Sequence, residues 1–305
     1  TSVKKFIKKR FGSEFEEVFV EPFLTGVYAG ETDKMSAEHV LNKIWNLEQN
    51  NGSVIIGAMR QRNKGNNMRS FNFKNGLTDF ISAIKKKTKS NVRLNSKVTS
   101  VRKLKDGYHV TVNNNISYKC KNIVSTIPAF GLAEIIFDKK ISNALKNINY
   151  CPILVFHFGL EKKHIKENID GFGVLTKKND NMSFLGVLFN SRIFPHVAPK
   201  NNDLITVMIG GGRQSKLIYK DRSMLKNTVI KQIRKMISYE GRIVMEKEFL
   251  WKKGIPQYDL KHTDLIKCIS EFEKKYKNFY ISGNYYNGIS VSDCIEKAYS
   301  LSKRL

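Results

Sequence analysis

A chain of 305 residues with 41% hydrophobic residues is long enough for two domains or one large one, with enough apolar residues for a buried core. Lysines and arginines outnumber acidic residues 53 to 27, a formal net charge of +26, yet they are scattered among asparagines, which fits a solvated basic surface better than the concentrated face of a nucleic-acid-binding protein. No apolar run approaches the length of a bilayer span, and the four cysteines (Cys120, Cys151, Cys268 and Cys294) show neither metal-site nor disulfide-scaffold spacing, so an integral membrane protein, a zinc module and a secreted disulfide-rich domain are set aside and a reducing cytoplasm is expected.

The chain starts in a helical pattern, with Val3, Phe6, Ile7 and Phe11 on one side and Lys4, Lys5, Lys8, Lys9 and Arg10 on the other. Such a basic amphipathic helix can lie on a membrane surface or pack its apolar side on the protein's own core. A second helix is expected around Glu14 to Phe19, interrupted by Pro22, and a third from about Asp33 to Gln49, stopped by Asn51-Gly52. A polar loop from Gln61 to Asn67 precedes a strand-like alternation at Phe71 and Phe73, a turn at Gly76 and a helix carrying Leu77, Phe80, Ile81 and Ile84. Strands are expected from Val92 to Leu94, Val98 to Val101 and Tyr108 to Val112, the last two joined by the hairpin signal Asp106-Gly107, and then from Ile116 to Tyr118 and Asn122 to Thr126. Further strands are read from Leu154 to Phe158, Phe172 to Leu175, Phe184 to Phe189 and Leu204 to Ile209, followed by a helix from Ser223 to Ser238 that buries Leu225, Val229, Ile233, Met236 and Ile237.

The closing segment carries the most specific pattern. A short strand at Phe279, Tyr280 and Ile281 runs through Gly283 and Gly288 into Ser290-Val291-Ser292-Asp293, a capping box opening a helix. Val291, Ile295, Ala298 and Leu305 fall near one face of that helix, the face expected to pack on a sheet. Glycines let a ligand approach the backbone, and free N–H groups at a helix start favour an anion or a group that develops negative charge, although an ordinary strand-to-helix connection has the same pattern. No G-x-G-x-x-G turn stands between a strand and a helix. The nearest strings, Gly171-Phe172-Gly173-Val174-Leu175-Thr176 and Gly210-Gly211-Gly212-Arg213, are read as a pocket-lining loop and a strand end.

The string from Gly283 to Glu296, GNYYNGISVSDCIE, resembles the C-terminal flavin motif of the porphyrinogen oxidases, a branch of the amine-oxidase-like flavoproteins. Other matches follow in the family's order: Gly26-Val27-Tyr28-Ala29-Gly30 with Asp33-Lys34-Met35-Ser36, Phe73-Lys74-Asn75-Gly76-Leu77, Ser125-Thr126-Ile127-Pro128-Ala129, Asp170-Gly171-Phe172-Gly173, and Ile255-Pro256-Gln257-Tyr258 with His262. Asn75, Lys261 and Ser290 stand where relatives usually have a small residue. The resemblance implies a mixed α/β and α+β fold: an incomplete FAD/NAD(P)-binding, Rossmann-like domain lacking its N-terminal βαβ unit, a mixed-sheet substrate domain and a helical segment. It divides the chain into a helical substrate- or membrane-facing segment over 1–69, parts of the FAD-binding domain over 70–128 and 251–305, and a substrate-binding α+β domain over 129–250, together the C-terminal two-thirds of a family member.

The implied activity is FAD-dependent oxidation of protoporphyrinogen IX or coproporphyrinogen III to the porphyrin in haem biosynthesis, in two-electron steps with molecular oxygen as acceptor. This stretch alone is expected to be inactive, and a peripheral contact with the inner face of a membrane is left open. By the same resemblance Val98 addresses the adenine, Trp251 lies beside the flavin, and Gly283, Ile289, Ser290 and Val291 present backbone to its ring. Phe172, Gly173 and Leu175 line the macrocycle pocket. A carotenoid desaturase or amine oxidase is the competing flavoenzyme reading, and a basic nucleic-acid-binding protein the competing class. No histidine has a carboxylate or serine at telling spacing, so no catalytic acid, base or nucleophile is assigned, and none is compulsory where a cofactor carries the chemistry.

Overall fold

A computed structural model describes residues 1–60, 70–88, 91–166, 169–286 and 288–305. The chain forms two units, residues 1–90 with 151–255 and residues 91–150 with 256–305. The polar loop expected from Gln61 to Asn67 lies outside the described residues.

In the first unit, α1 (Val3–Phe11) buries Val3, Phe6 and Ile7 against Leu24, Met35 and Ala37. The apolar side of the opening helix therefore belongs to the core, and its basic side is partly neutralised by Lys8 on Glu17 (2.8 Å) and a two-pronged Arg10–Glu48 contact (2.6 and 2.7 Å). Next come α2 (Ser13–Phe15), a π-helical turn over Glu16–Val20, and α3 (Glu21–Tyr28). Pro22 does not interrupt this run. It sits in the first turn of α3, where a missing N–H is tolerated. The third helix starts later than expected, as α4 (Ala37–Val40) and α5 (Asn42–Asn51), because Thr32 and Met35 give their carbonyls to the amides of Lys4 and Val3, both at 2.9 Å. A further helix, α6 (Val54–Arg60), follows Gly52. Phe71 and Phe73 form no strand; their rings cluster with Phe80 ahead of α7 (Thr78–Lys87).

The chain then enters the second unit with the antiparallel sheet β1 (Val98–Lys103), β2 (Tyr108–Val112) and β3 (Ile116–Cys120). The expected strand from Val92 to Leu94 is absent, having no neighbour to pair with among the described residues. After β4 (Ile123–Ser125), helices α8 (Ala129–Ile135) and α9 (Lys139–Lys146) bury Ala129, Leu132, Ile141 and Leu145 in this unit's core.

Back in the first unit, a five-stranded sheet has the order β6-β7-β8-β5-β9, formed by β5 (Tyr150–Glu161), β6 (Gly173–Leu175), β7 (Gly186–Leu188), β8 (Asn202–Gly210) and β9 (Ile243–Pro256). Short helices α10 (Asn190–Ile193) and α11 (Gly211–Gln214) flank β8, and α12 (Arg222–Met236) lays Leu225, Val229 and Ile233 on Leu154, Phe156, Phe158 and Val207. The run Gly210-Gly211-Gly212 ends β8 as read from the sequence. Gly211 has φ +63, and a Cβ there would strike the Ala29 carbonyl, which also accepts the Gly212 amide at 2.7 Å. Arg213, nearly buried, joins Glu21 (3.2 Å) to the Thr176 carbonyl (3.0 Å) and hydroxyl (2.8 Å), tying α3 to the sheet.

The second unit closes with α13 (His262–Lys275), β10 (Phe279–Ile281) and α14 (Val291–Ser302). Strand β10 pairs in parallel with β4, Phe279 opposite Ile123. The apolar face of α14 does not pack on a sheet: Val291 and Ile295 are 57% and 49% exposed. The helix is held by its other side, through Lys297 over the Tyr286 ring (4.4 Å) and Arg304 over Tyr280 (5.2 Å) and beside Glu273 (3.3 Å). The two units also meet the chain at other points than expected: 129–150 fold with the second unit and 251–255, the end of β9, with the first.

The close approach at Gly211 gives a direct test. Gly211→Ala is expected to cost about 1–3 kcal/mol from backbone strain alone, and clearly more than Gly52→Ala, which shares a left-handed φ (+72) but faces open space. Urea midpoints of the two variants report the difference.

Candidate functional site

In the second unit, the turn from β10 to α14 gathers most of the residues assigned to the cofactor. Gly288 has φ +122 and no room for a Cβ beside Asp293, so the chain passes tightly under the helix start. Its amide donates to the Tyr258 hydroxyl (2.7 Å), which donates to the Asn284 carbonyl (2.7 Å), and the Tyr258 ring stacks on His262 at 4.1 Å. The capping box is complete: Asp293 N–H donates to Ser290 Oγ and Ser290 N–H to Asp293 Oδ2, both at 3.0 Å. That second bond corrects one expectation. The Ser290 amide is already spent on a carboxylate and is not presented to a ligand, whereas Ile289, Val291 and Ser292 have amides without an acceptor among the described residues. Val98 lies in the same unit at the start of β1, opposite Val112, with the register shift falling at Thr99 just after it.

Trp251 is not in this unit; it stands 59% exposed on β9 of the first. There Phe172, Gly173 and Leu175 do come together, at the edge strand β6 and the bend before it. Pairing aligns two rows across the sheet: Leu175, Gly186, Met208 and Val155, and beside it Gly173, Leu188, Thr206 and His157. Directly paired residues share a face, so both rows lie opposite α12, whose partners Phe156 and Val207 point the other way. Phe249 meets the His157 ring edge-on at 5.9 Å, which puts Phe249, and Trp251 two residues on, on the same face. The result is a mostly apolar face, covered at one end where Leu175 packs on Gly26 of α3 and Val155 on the cluster of Ala29 and Leu185, whose remainder can receive a hydrophobic ligand. Leu188, Met208, Val155 and His157 are absent from the sequence-based assignment; their alternation is visible in the sequence, but their shared face needs the register.

The helix start suits the ring end of a flavin, since unbonded amides and a helix dipole stabilise charge developing on a ligand. Among the described residues no glycine-rich strand-to-helix turn is present that would cradle a pyrophosphate. Lys297, two turns into α14, has its ammonium over the Tyr286 ring and buried without a hydrogen bond, and burial pulls it down to about 8, more than the nearby Cys294 and Asp293 raise it.

Comparison with known proteins gives the family and the fold. The family described as flavin containing amine oxidoreductase matches residues 1–305. The chloroplastic protoporphyrinogen oxidase of Nicotiana tabacum is 28% identical, the match covering 100% of this chain and 61% of the relative. The coproporphyrinogen III oxidase of Bacillus subtilis (strain 168) is 23% identical, covering 97% of this chain and 65% of its own length. A crystal structure from Exiguobacterium sp. 255-15, provisionally assigned as a protoporphyrinogen oxidase, superposes with a TM-score of 0.82 at 19% identity, covering 99% of this chain and 66% of that one. A putrescine oxidase variant superposes at 0.71 with 12% identity, over 100% of this chain and 68% of the other. The chain thus spans about three-fifths of the length of the plant relatives it matches, 61% and 62% for the tobacco and rice enzymes.

Lys297 makes the second unit's stability depend on pH in a defined direction. Its folded value, about 8, lies below the ordinary 10.5, so between these two the unfolded chain binds the extra proton and stability rises with pH. Lys297→Met is expected to raise the urea midpoint at pH 7, with the advantage over the unsubstituted chain shrinking by pH 10.

Proposed function

The chain belongs to the flavin containing amine oxidoreductases, and from that premise we propose that it serves the FAD-dependent oxidation of a porphyrinogen, protoporphyrinogen IX or coproporphyrinogen III, to the porphyrin, with molecular oxygen as acceptor. The observation that carries this reading is the face of the five-stranded sheet, where Leu175, Leu188, Met208 and Val155 share an apolar side. It is supported by relatives bearing both activities in their names. When bound, the flavin supplies the hydride-accepting ring. The part of this chain's second unit is to place and polarise: the amides of Ile289 and Val291 at the start of α14 would stabilise charge developing on the ring, Gly283 and Gly288 would shape the turn that holds the backbone against it, and Val98 would offer main chain to the adenine. Phe172, Gly173 and Leu175 border the macrocycle and keep water from it.

Peripheral attachment to a membrane belongs to the same reading. Among the described residues no helix is long and apolar enough to cross a bilayer. Phe11, Phe15, Phe19 and Phe23 recur every fourth residue, the first three with ring centroids 5.4 and 5.5 Å apart, and Phe19 and Phe23 are 63% and 58% exposed. The basic residues of α1 adjoin this row, so the partner it fits is an anionic lipid surface.

For the activity, the full gene product is expected to retain FAD and to generate porphyrin fluorescence in air from at least one of the two porphyrinogens. Oxidation of putrescine with no porphyrin formed from either tetrapyrrole would reassign the chain within its family. For the membrane, sedimentation with phosphatidylglycerol vesicles is expected to exceed that with phosphatidylcholine and to weaken on the order of tenfold in the Phe19→Ser/Phe23→Ser double variant; equal binding of the variant would remove the aromatic row from the interface.

A further inference from the structure

One hydrogen-bonding group on the sheet face, a histidine, is not accounted for above. His157, at the β5 end of the second cross-strand row, is half-buried and has its Nδ1 2.8 Å from Thr206 Oγ1. The Thr206 hydroxyl donates its single proton to Asn190 Oδ1 at 2.6 Å. Its oxygen is therefore left to accept, which places the imidazole proton on Nδ1 and leaves a lone pair on Nε2. Phe249, edge-on at 5.9 Å, fixes the ring from the β9 side. Nε2 has no hydrogen-bond partner among the described residues. Burial also holds the ring below the ordinary histidine value, so that it is neutral near pH 7. A relay of Asn190, Thr206 and His157 thus presents one oriented acceptor on a surface otherwise made of Leu175, Leu188, Met208 and Val155.

An acceptor on an apolar bed discriminates among ligands, because a ligand without a matching donor leaves it desolvated and unpaired. A porphyrinogen is a complementary ligand: its four pyrrole rings each carry an N–H donor, and its macrocycle has no acceptor of its own. We propose that His157 Nε2 accepts a hydrogen bond from a pyrrole N–H of the bound porphyrinogen and thereby sets the position of the macrocycle on the sheet, making His157 a specificity-determining residue. This rests on the tetrapyrrole reading of the sheet face.

The test is anaerobic equilibrium dialysis of the 305-residue chain against coproporphyrinogen III, with bound ligand measured as porphyrin fluorescence after reoxidation. His157→Phe keeps an aromatic ring beside Phe249 but removes the acceptor, and is expected to weaken binding about tenfold. His157→Gln places an amide oxygen at similar reach and is expected to stay within about threefold of the unsubstituted chain. Thermal melts of both variants show whether the sheet is retained. Unchanged affinity in His157→Phe, or an equal loss in the two variants, would reject the acceptor role, whereas an absence of saturable binding of both coproporphyrinogen III and protoporphyrinogen IX, dialysed in the same way, by the unsubstituted chain would reject the tetrapyrrole reading beneath it.

Discussion

From Ile153 opposite Gly210 to Glu161 opposite Asn202, β5 and β8 run as one unbroken antiparallel ladder, and everything of functional interest in the first unit is referred to its register. Side chains alternate between faces, so a slip by one residue would move Phe156, Phe158 and Val207 out of the core under α12 and bring Val155, His157 and Met208 into it. The burial of those phenylalanines is what fixes the opposite surface. The same register sets Thr206 directly across from His157 and delivers Gly210 to the point where Gly211 meets the Ala29 carbonyl. Arg213 then reaches Glu21 and Thr176 together, a nearly buried ion pair in which the two terminal nitrogens of the guanidinium are also spent on neutral oxygens while Nε is left buried without a partner among the described residues.

The second unit solves a different problem. Its last helix shows little apolar surface to the unit it belongs to, and its position is set by a complete capping box at one end and by two cations over tyrosine rings, Lys297 within the helix and Arg304 just past its end. A desolvated ammonium is an expensive anchor, and the depressed pKa of Lys297 expresses that cost. Keeping α14 in place by polar contacts frees its N-terminus, where the amides of Val291 and Ser292 stay open while that of Ser290 is consumed by the cap. Capping and ligand presentation compete for the same few N–H groups at any helix start, and here the division falls between adjacent residues.

Much of this was legible in the residues. Period-two alternation with turn signals located β1, β2, β3, β4, β8 and the body of β5, and the capping box with its two glycines located the turn into α14. Where reading failed, long-range pairing had overridden local pattern. Phe71 and Phe73 look like strand residues, but aromatic clustering with Phe80 satisfies them without a ladder. The fourteen-residue β9 is hidden because Glu246, Lys247, Glu248, Lys252 and Lys253 put charge on both of its faces, as an edge strand can afford. The boundaries of the units shift for a related reason: the apolar side of α8 is satisfied by Phe279 and Ile281, residues far along the chain that no local signal connects to it. His157 is the clearest case, an unremarkable strand histidine until Thr206 and Asn190 are seen beside it.

The parallel pairing of β4 with β10 also bears on how the polypeptide is made. Ile123 finds its partner Phe279 more than half of the 305 residues later, with a complete five-stranded sheet intervening. On the ribosome the strands and helices of 91–150 emerge well before the segment that seals their core, and the intervening unit has time to form first. Ala129, Leu132 and Leu145 must wait uncovered through that interval, so a nascent chain stalled before α13 is the species most in need of a chaperone.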